Sequence, residues 1–237
     1  MSQGNILRSE QSISEENARF MSGVYKWMTF GILLTGFISY YVASSPNIVM
    51  TIVTNKILFY GLIIAQLGAV FYLSMMIQKI SAVTATLVYL LYASLTGLTL
   101  STIFLVYTSD SISSAFFVTC FSFAGLSAFG YITKRDLGPI GTFCHMGLWG
   151  LIGFSILSFF FPGMLGSATQ MTFSICGVVI FAGLTAYDTQ KIKNMNIIGN
   201  EGTEEDHKET IIGALTLYLD FINLFLMILR LMGNRRK

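Results

Sequence analysis

The chain is short of charge. Asp, Glu, Lys and Arg make up 11% of its 237 residues, under half of the roughly 25% usual in soluble domains, which excludes much water-exposed mass. The net charge of +2 is too slight for a nucleic-acid binder. Cysteine is scarce: Cys120, Cys144 and Cys176 stand far apart in apolar runs. That spacing excludes a disulfide framework or a zinc site and leaves three small buried hydrophobes. Histidine is rarer still. His145 reads as interfacial packing and His207 as a solvated loop residue. No Ser/His/Asp set, HExxH helix or phosphate loop occurs, so the expectation is no enzyme and no cofactor. Residues before Met21 lack the apolar core of a secretory signal, and the first membrane helix is expected to act as its own insertion signal.

What the chain has instead is hydrophobicity, 54% of all residues, gathered into seven runs. They cover Val24–Val42, Ile57–Ile77, Ala82–Tyr107, Ile112–Ile132, Ile140–Phe161, Met171–Asp188 and Ile211–Met232. Each is near the roughly 20 residues that a spanning helix needs, and an open sheet would leave backbone groups unsatisfied in lipid. The expectation is an all-α membrane protein with seven transmembrane helices over residues 21–237, preceded by a polar, mobile segment 1–20. Within that segment Ser12-Ile-Ser-Glu15 fits a capping box that would start a short interfacial helix. Ser44-Ser-Pro46, Gln78-Lys79, Tyr107–Ser111, Thr133–Pro139, Pro162-Gly163 and Asn200–Thr210 read as the loops. Nine Lys and Arg fall on the side of the N-terminus and five on the other, which places the N-terminus in the cytoplasm.

Small residues mark close helix approaches: Ala93, Gly97 and Ser101 at i+4 spacing, and Gly147, Gly150 and Gly153 at i+3. Tyr92, Thr96 and Thr99 form a polar stripe. It reads either as a wet pathway or as hydroxyls bonded to their own i−4 carbonyls, and the second reading is the better supported.

The sharpest signal is a pair of acids inside apolar helices, Asp188 after Tyr187 and Asp220 two residues after Tyr218. An intramembrane carboxylate costs a few kcal/mol at least (about 3 on insertion scales) and marks a functional site by default. In an antiparallel hairpin, facing residues lie equally far from the turn. The midpoint of 188 and 220 falls inside Glu201–Asp206, the most turn-like stretch between them, so the two carboxyls are expected at one depth. On the last helix Gly213, Thr216, Asp220, Asn223 and Met227 share a face, with Arg230 near its edge; on the sixth, Ser174, Gly177, Phe181, Leu184 and Asp188 do. Two touching carboxyls share one proton, so the pair can switch with pH. The structural alternative is that each aspartate caps or bonds a nearby helix. Two carboxylates are too few for a tight calcium site, even with Asn223 and Thr185 beside them, so transient cation passage is favoured over storage. Glu201, Glu204, Glu205, Asp206 and Glu209 read as a hydrated loop, with cation attraction as a second possibility. Lys79 reads as a snorkelling residue that is also a candidate contact of the pair.

Ala186-Tyr-Asp188-Thr-Gln, Leu217-Tyr-Leu-Asp220-Phe-Ile-Asn-Leu-Phe and Leu229-Arg-Leu-Met-Gly233 resemble the Bax inhibitor-1 family, also called the transmembrane Bax inhibitor motif family. Gly97-Leu-Thr-Leu-Ser and Thr133-Lys-Arg-Asp136-Leu resemble its bacterial members, and the likeness spans essentially the whole chain. The resemblance implies a last helix that is central and wrapped by the other six, in a bacterial inner (plasma) membrane. It also implies that Asp188 and Asp220 are the pH-sensing pair of a calcium-permeable leak. Some members have an arginine and an upstream glutamate that contact the pair; here the corresponding region offers Lys79 and Gly68. The alternative role that the resemblance implies is an interaction protein that modulates a membrane-bound protease or a stress or cell-death pathway.

Overall fold

The structure, a computed structural model, describes residues 3–161, 163 and 166–236, with side chains from Ser12 onward, Ser167 excepted. Among these residues the chain is all-α. The helices are α1 (Gln3–Ala43), α2 (Pro46–Thr54), α3 (Lys56–Met76), α4 (Ala82–Leu100), α5 (Ile103–Val106), α6 (Ser109–Ile132), α7 (Gly138–Phe160), α8 (Ser167–Met195) and α9 (Glu204–Met232). Six are long and apolar enough to cross a membrane, with α4 and α5 taken as one; α1 and α2, bent by 99° at their junction, pass the same test together as a seventh.

Short side-chain caps start these helices where the sequence has Ser, Thr or Asn. Ser81, Thr108 and Asn55 each accept from the backbone N–H three residues on, which satisfies one of the donors that a helix start leaves open. Proline stands in the first turn of α2 and α7, where its missing N–H costs nothing.

The segments depart from the expected ones in three places. The polar N-terminal segment is not a mobile leader before a short helix. From Gln3 it is the first half of a 41-residue helix, and Ser12 lies inside that helix rather than capping it. No glycine or proline interrupts residues 5–22. Asn196 Nδ2 donates to Asn17 Oδ1 at 2.8 Å, Gly199 N to Glu16 Oε1 at 2.6 Å, and Arg19 Nη1 to both Glu201 oxygens at 3.0 Å. The second departure is α2, a separate helix that buries Val49 and Ile52 against Val42 and Leu62. The third is the run expected to span Ala82–Tyr107, which breaks after Leu100. There Ser101 and Thr102 turn their hydroxyls onto Leu98 O and Thr99 O. Pro162, expected in the next loop, lies outside the described residues.

The chain forms two compact units. One holds Met1–Leu105 with Ile192–Tyr218, the other Val106–Lys191 with Leu219–Lys237. In the first, α4 lies along α1 on the Ala93–Gly97–Ser101 seam: Thr35 Oγ1 donates to Ala93 O at 2.8 Å, and a Cβ on Gly97 would stand 2.9 Å from Thr35 O. The polar stripe beside that seam is bonded largely within its own helix, Thr96 to Tyr92 O and Thr99 to Leu95 O. In the second unit only one of the three expected glycine contacts forms. Gly147 faces Ile180, whereas Gly150 and Gly153 have open space beside them. Large apolar side chains such as Ile57, Phe121 and Trp149 stand outward, as a lipid-facing surface requires.

The last helix is the core element. Of its most apolar stretch 67% is buried, against 6% for α7 and 39% for the next most enclosed span, Ala82–Val106. Of the cysteines, only Cys144 is buried as expected; Cys120 is partly covered and Cys176 is exposed.

Candidate functional site

Asp188 and Asp220 both lie in the second unit and are almost completely enclosed, 6% and 5% exposed. Their side chains are within hydrogen-bonding reach of one another. Two ionised carboxylates offer only acceptors, so this contact needs a proton between them. Asp220 Oδ2 is fully buried and meets no hydrogen-bond partner.

The helix register that brings them together is visible on either side. In the second unit Gly177 is overlain by Met227, and in the first Gly213 packs on Ile192. Both contacts are centred on about Gly202 and the aspartates on Glu204, all at the turn, as near-facing residues of an antiparallel hairpin must be. Gly199 and Gly202 supply the turn with positive φ, 93° and 76°, which side-chain-bearing residues rarely adopt.

The residues beside Asp188 fix the rotation of α8. Tyr187 rests on Gly141, where a Cβ would come within 2.5 Å of the ring, and meets His145 edge-on at 5.9 Å. Thr189 is hydrogen-bonded to Ser127 of α6 at 2.9 Å. Gln190 clamps the α6–α7 loop: its Oε1 accepts from Leu137 N and its Nε2 donates to Arg135 O. Each residue of the Tyr-Asp-Thr-Gln run is therefore tied to its own neighbour, and Asp188 is left facing inward. The sequence marks Gln190 only as the end of the Ala186-Tyr-Asp188-Thr-Gln motif and gives it no role of its own. Its signal was its place two residues after a buried acid, opposite the Thr133–Leu137 loop. His145 and Lys191 stand beside the same tyrosine: His145 Nδ1 lies 2.8 Å from Gly141 O with its ring edge-on to Tyr187, and Lys191 Nζ lies 6.0 Å from the centre of the Tyr187 ring.

The supporting residues divide. Thr185, Thr216 and Asn223 all bond backbone carbonyls one turn earlier in their own helices, Phe181 O, Ile212 O and Leu219 O. Tyr218 belongs to the first unit and is fully buried there. Thr35 spends its proton on Ala93 O, so Tyr218 O–H donates to Thr35 Oγ1 at 2.7 Å, with the Tyr89 and Tyr92 rings edge-on to it. Lys79 is exposed in the α3–α4 turn. Arg230 is exposed, with its guanidinium 5.4 Å from the centre of the Phe173 ring.

The acidic stretch is exposed at Glu201, Glu204 and Glu205, as a hydrated loop should be, and is bonded into the first unit as well. Thr203 caps α9 by accepting from Asp206 N, Asp206 accepts from Gly202 N, and Glu201 takes Arg19. Glu204 Oε1 accepts from Ala82 N at 2.9 Å, and that hydrogen bond, helped by Lys208, holds its carboxyl below the ordinary value. His207, expected to be solvated, meets Thr86 Oγ1 at 3.0 Å and the Trp27 ring edge-on. Among the described residues no three His, Cys, Asp or Glu side chains gather as a metal site.

The fold and site define a polytopic α-helical membrane protein with a buried carboxyl contact between its last two helices. Residues 17–237 match the family described as Inhibitor of apoptosis-promoting Bax1, Bax1-I. The chain is 50% identical over 218 residues to Inner membrane protein YbhL of Escherichia coli K12, covering 92% of each. It is 40% identical to an uncharacterized protein of Borreliella burgdorferi over 98% of each chain, and 37% identical to one of Deinococcus radiodurans over 98% of this chain and 96% of that one. The chain belongs to the Bax inhibitor-1 family.

Proposed function

We propose that the protein is a pH-sensitive, calcium-permeable leak of a bacterial inner membrane, with Asp188 and Asp220 as its gating pair. The observation that carries this reading is the enclosed contact of two carboxyls, one oxygen of which has no protein donor. With one proton between them, the pair is an O–H···O⁻ hydrogen bond that ties α8 to α9, one of the stronger types and strengthened by low dielectric. With that proton gone, two like charges face each other and demand water or a cation. The low-pH state is the closed one. A cation crossing the opened contact meets carboxylates too few to retain it, which suits passage rather than storage. No catalytic role is assigned. The inner-membrane location follows the E. coli relative's name.

Purified protein in liposomes should pass calcium, with a flux that rises as pH goes from about 6 to about 8. Asp220→Asn should flatten that response. A mutant flux that still tracks pH like the wild type would place the switch elsewhere.

A second reading, a modulator of a membrane protease or stress pathway, draws on the family's description as an inhibitor. Glu16, Asn17 and Arg19 fix the end of the N-terminal segment to the α8–α9 loop, so a partner would meet a held helix rather than a loose arm. Deletion of residues 2–13 should spare a leak and abolish docking.

A further inference from the structure

The second unit holds a cavity of about 400 Å³ that the aspartate site does not use. Two guanidiniums share it. Arg230 comes from the last turn of α9 and lies against Phe173. Arg235 comes from the tail beyond α9 and donates Nη2 to Gln170 Oε1 at 3.2 Å. No lining residue is acidic, and among the described residues neither arginine has a carboxylate partner within ion-pair distance. Ser155 and Ser158 line the cavity too, but their hydroxyls donate to carbonyls of their own helix. The arginines are therefore its charged donors.

Arg235 is held in place by the backbone. Asn234 N donates to Ser111 Oγ at 2.9 Å, Thr108 N to Asn234 O at 3.2 Å, and Arg236 N to Val106 O at 2.9 Å. Gly233 lets the chain turn against Tyr107, since a Cβ there would stand 2.7 Å from the ring. A tail stitched in this way presents its arginine at little further ordering cost.

The cavity sits where helices end. Its walls come from the last turns of α7, the first turns of α8 and the last turn of α9. Those are the levels at which a spanning helix meets phospholipid headgroups. Phe159, Phe160 and Phe161, at the end of α7, are 60–68% exposed and suit acyl chains.

We propose that this cavity binds the phosphate of an anionic phospholipid headgroup, with Arg230 and Arg235 as the donors. Guanidinium matches phosphate geometry through paired N–H donors. Two positive charges with no acid beside them favour a headgroup of net negative charge over a zwitterionic one, because nothing in the lining answers a choline or ethanolamine cation.

The test is lipid binding to the detergent-purified full chain by native mass spectrometry, titrated with phosphatidylglycerol, phosphatidylcholine and inorganic phosphate. Phosphatidylglycerol should bind saturably and about 30-fold more tightly than phosphatidylcholine, at about 5-fold per arginine. Arg230→Gln/Arg235→Gln should remove that preference, each single variant about 5-fold of it, and Arg230→Lys/Arg235→Lys should keep most of it. The single variants and the lysine pair carry the test if the double glutamine variant does not fold. Equal binding of the two lipids, or an unchanged preference in the glutamine variants, overturns the proposal. Displacement of phosphatidylglycerol by millimolar inorganic phosphate overturns it in favour of a free-phosphate site.

Discussion

Tyr218 and Asp220 are two residues apart on α9 and both buried, yet their polar atoms are treated in opposite ways. Tyr218 O–H enters a finished chain, to Thr35 Oγ1 and on to Ala93 O. Tyr89 O–H ends beside it on Trp27 O at 2.9 Å. Asp220 keeps one oxygen with no donor. A satisfied buried network rigidifies, and an unsatisfied one has something left to bind. The first unit's tyrosines are thus the fixed part of the design, and the second unit's aspartates the part that the proposed function assigns to proton response.

Four substitutions break or sharpen that contrast. Gly31→Ala should do the most damage, because its Cβ collides with the Tyr89 hydroxyl. Tyr89 is fully enclosed, so the expected loss is about 3 kcal/mol, read as a lowered melting temperature in detergent. Thr35→Val leaves the Tyr218 hydroxyl buried without an acceptor and should cost about 2 kcal/mol by the same assay. Asp220→Asn should cost less than about 1 kcal/mol, since the new amide N–H donates in place of the shared proton, while the pH response of flux disappears. A large stability loss with the pH response intact would reverse the assignment of fixed and responsive regions. Thr185→Val should be the mildest, about 0.5 kcal/mol with flux unaltered, because its hydroxyl serves only Phe181 O. If flux falls in that variant, Thr185 belongs to the pathway.

Solution pH offers a separate check on the acidic stretch. The Glu204 carboxyl is held below its ordinary value of 4.5. Its contribution is therefore complete above pH 4.5 and is lost as pH falls through the lowered value. Glu204→Gln should remove that acid-limb dependence and change nothing between about pH 6 and 8, where Glu204 stays ionised in either state.

The spans were legible in the sequence because each depends on a length of apolar residues and little else. The aspartate contact was legible because an antiparallel hairpin allows arithmetic from its turn, and Gly202 sits near the midpoint. Helical polar sequence was not legible: residues 3–20 carry no apolar run, and their helix is closed by contacts from Asn196, Gly199 and Glu201 far along the chain. The corner before α2 showed only as Ser44-Ser-Pro46, and the break at Ser101-Thr102 has neither proline nor glycine to announce it. Arg230 looked like an edge of the aspartate face, yet Phe173 and the tail draw it to a different cavity. Small residues misled at Gly150 and Gly153 because spacing shows where close approach is allowed, not whether a neighbour arrives.

The two aspartates lie about thirty residues apart in the chain, so they do not leave the ribosome together. At synthesis rates of about 5–20 residues per second, Asp188 waits roughly 2–6 s for its partner to be made. During that interval α8 has to enter the bilayer with its acid neutral or still near water. Insertion of this helix is thus tied to the birth of the next one, and an elongation pause between the two would leave the half-built protein with an unpaired acid in an apolar helix.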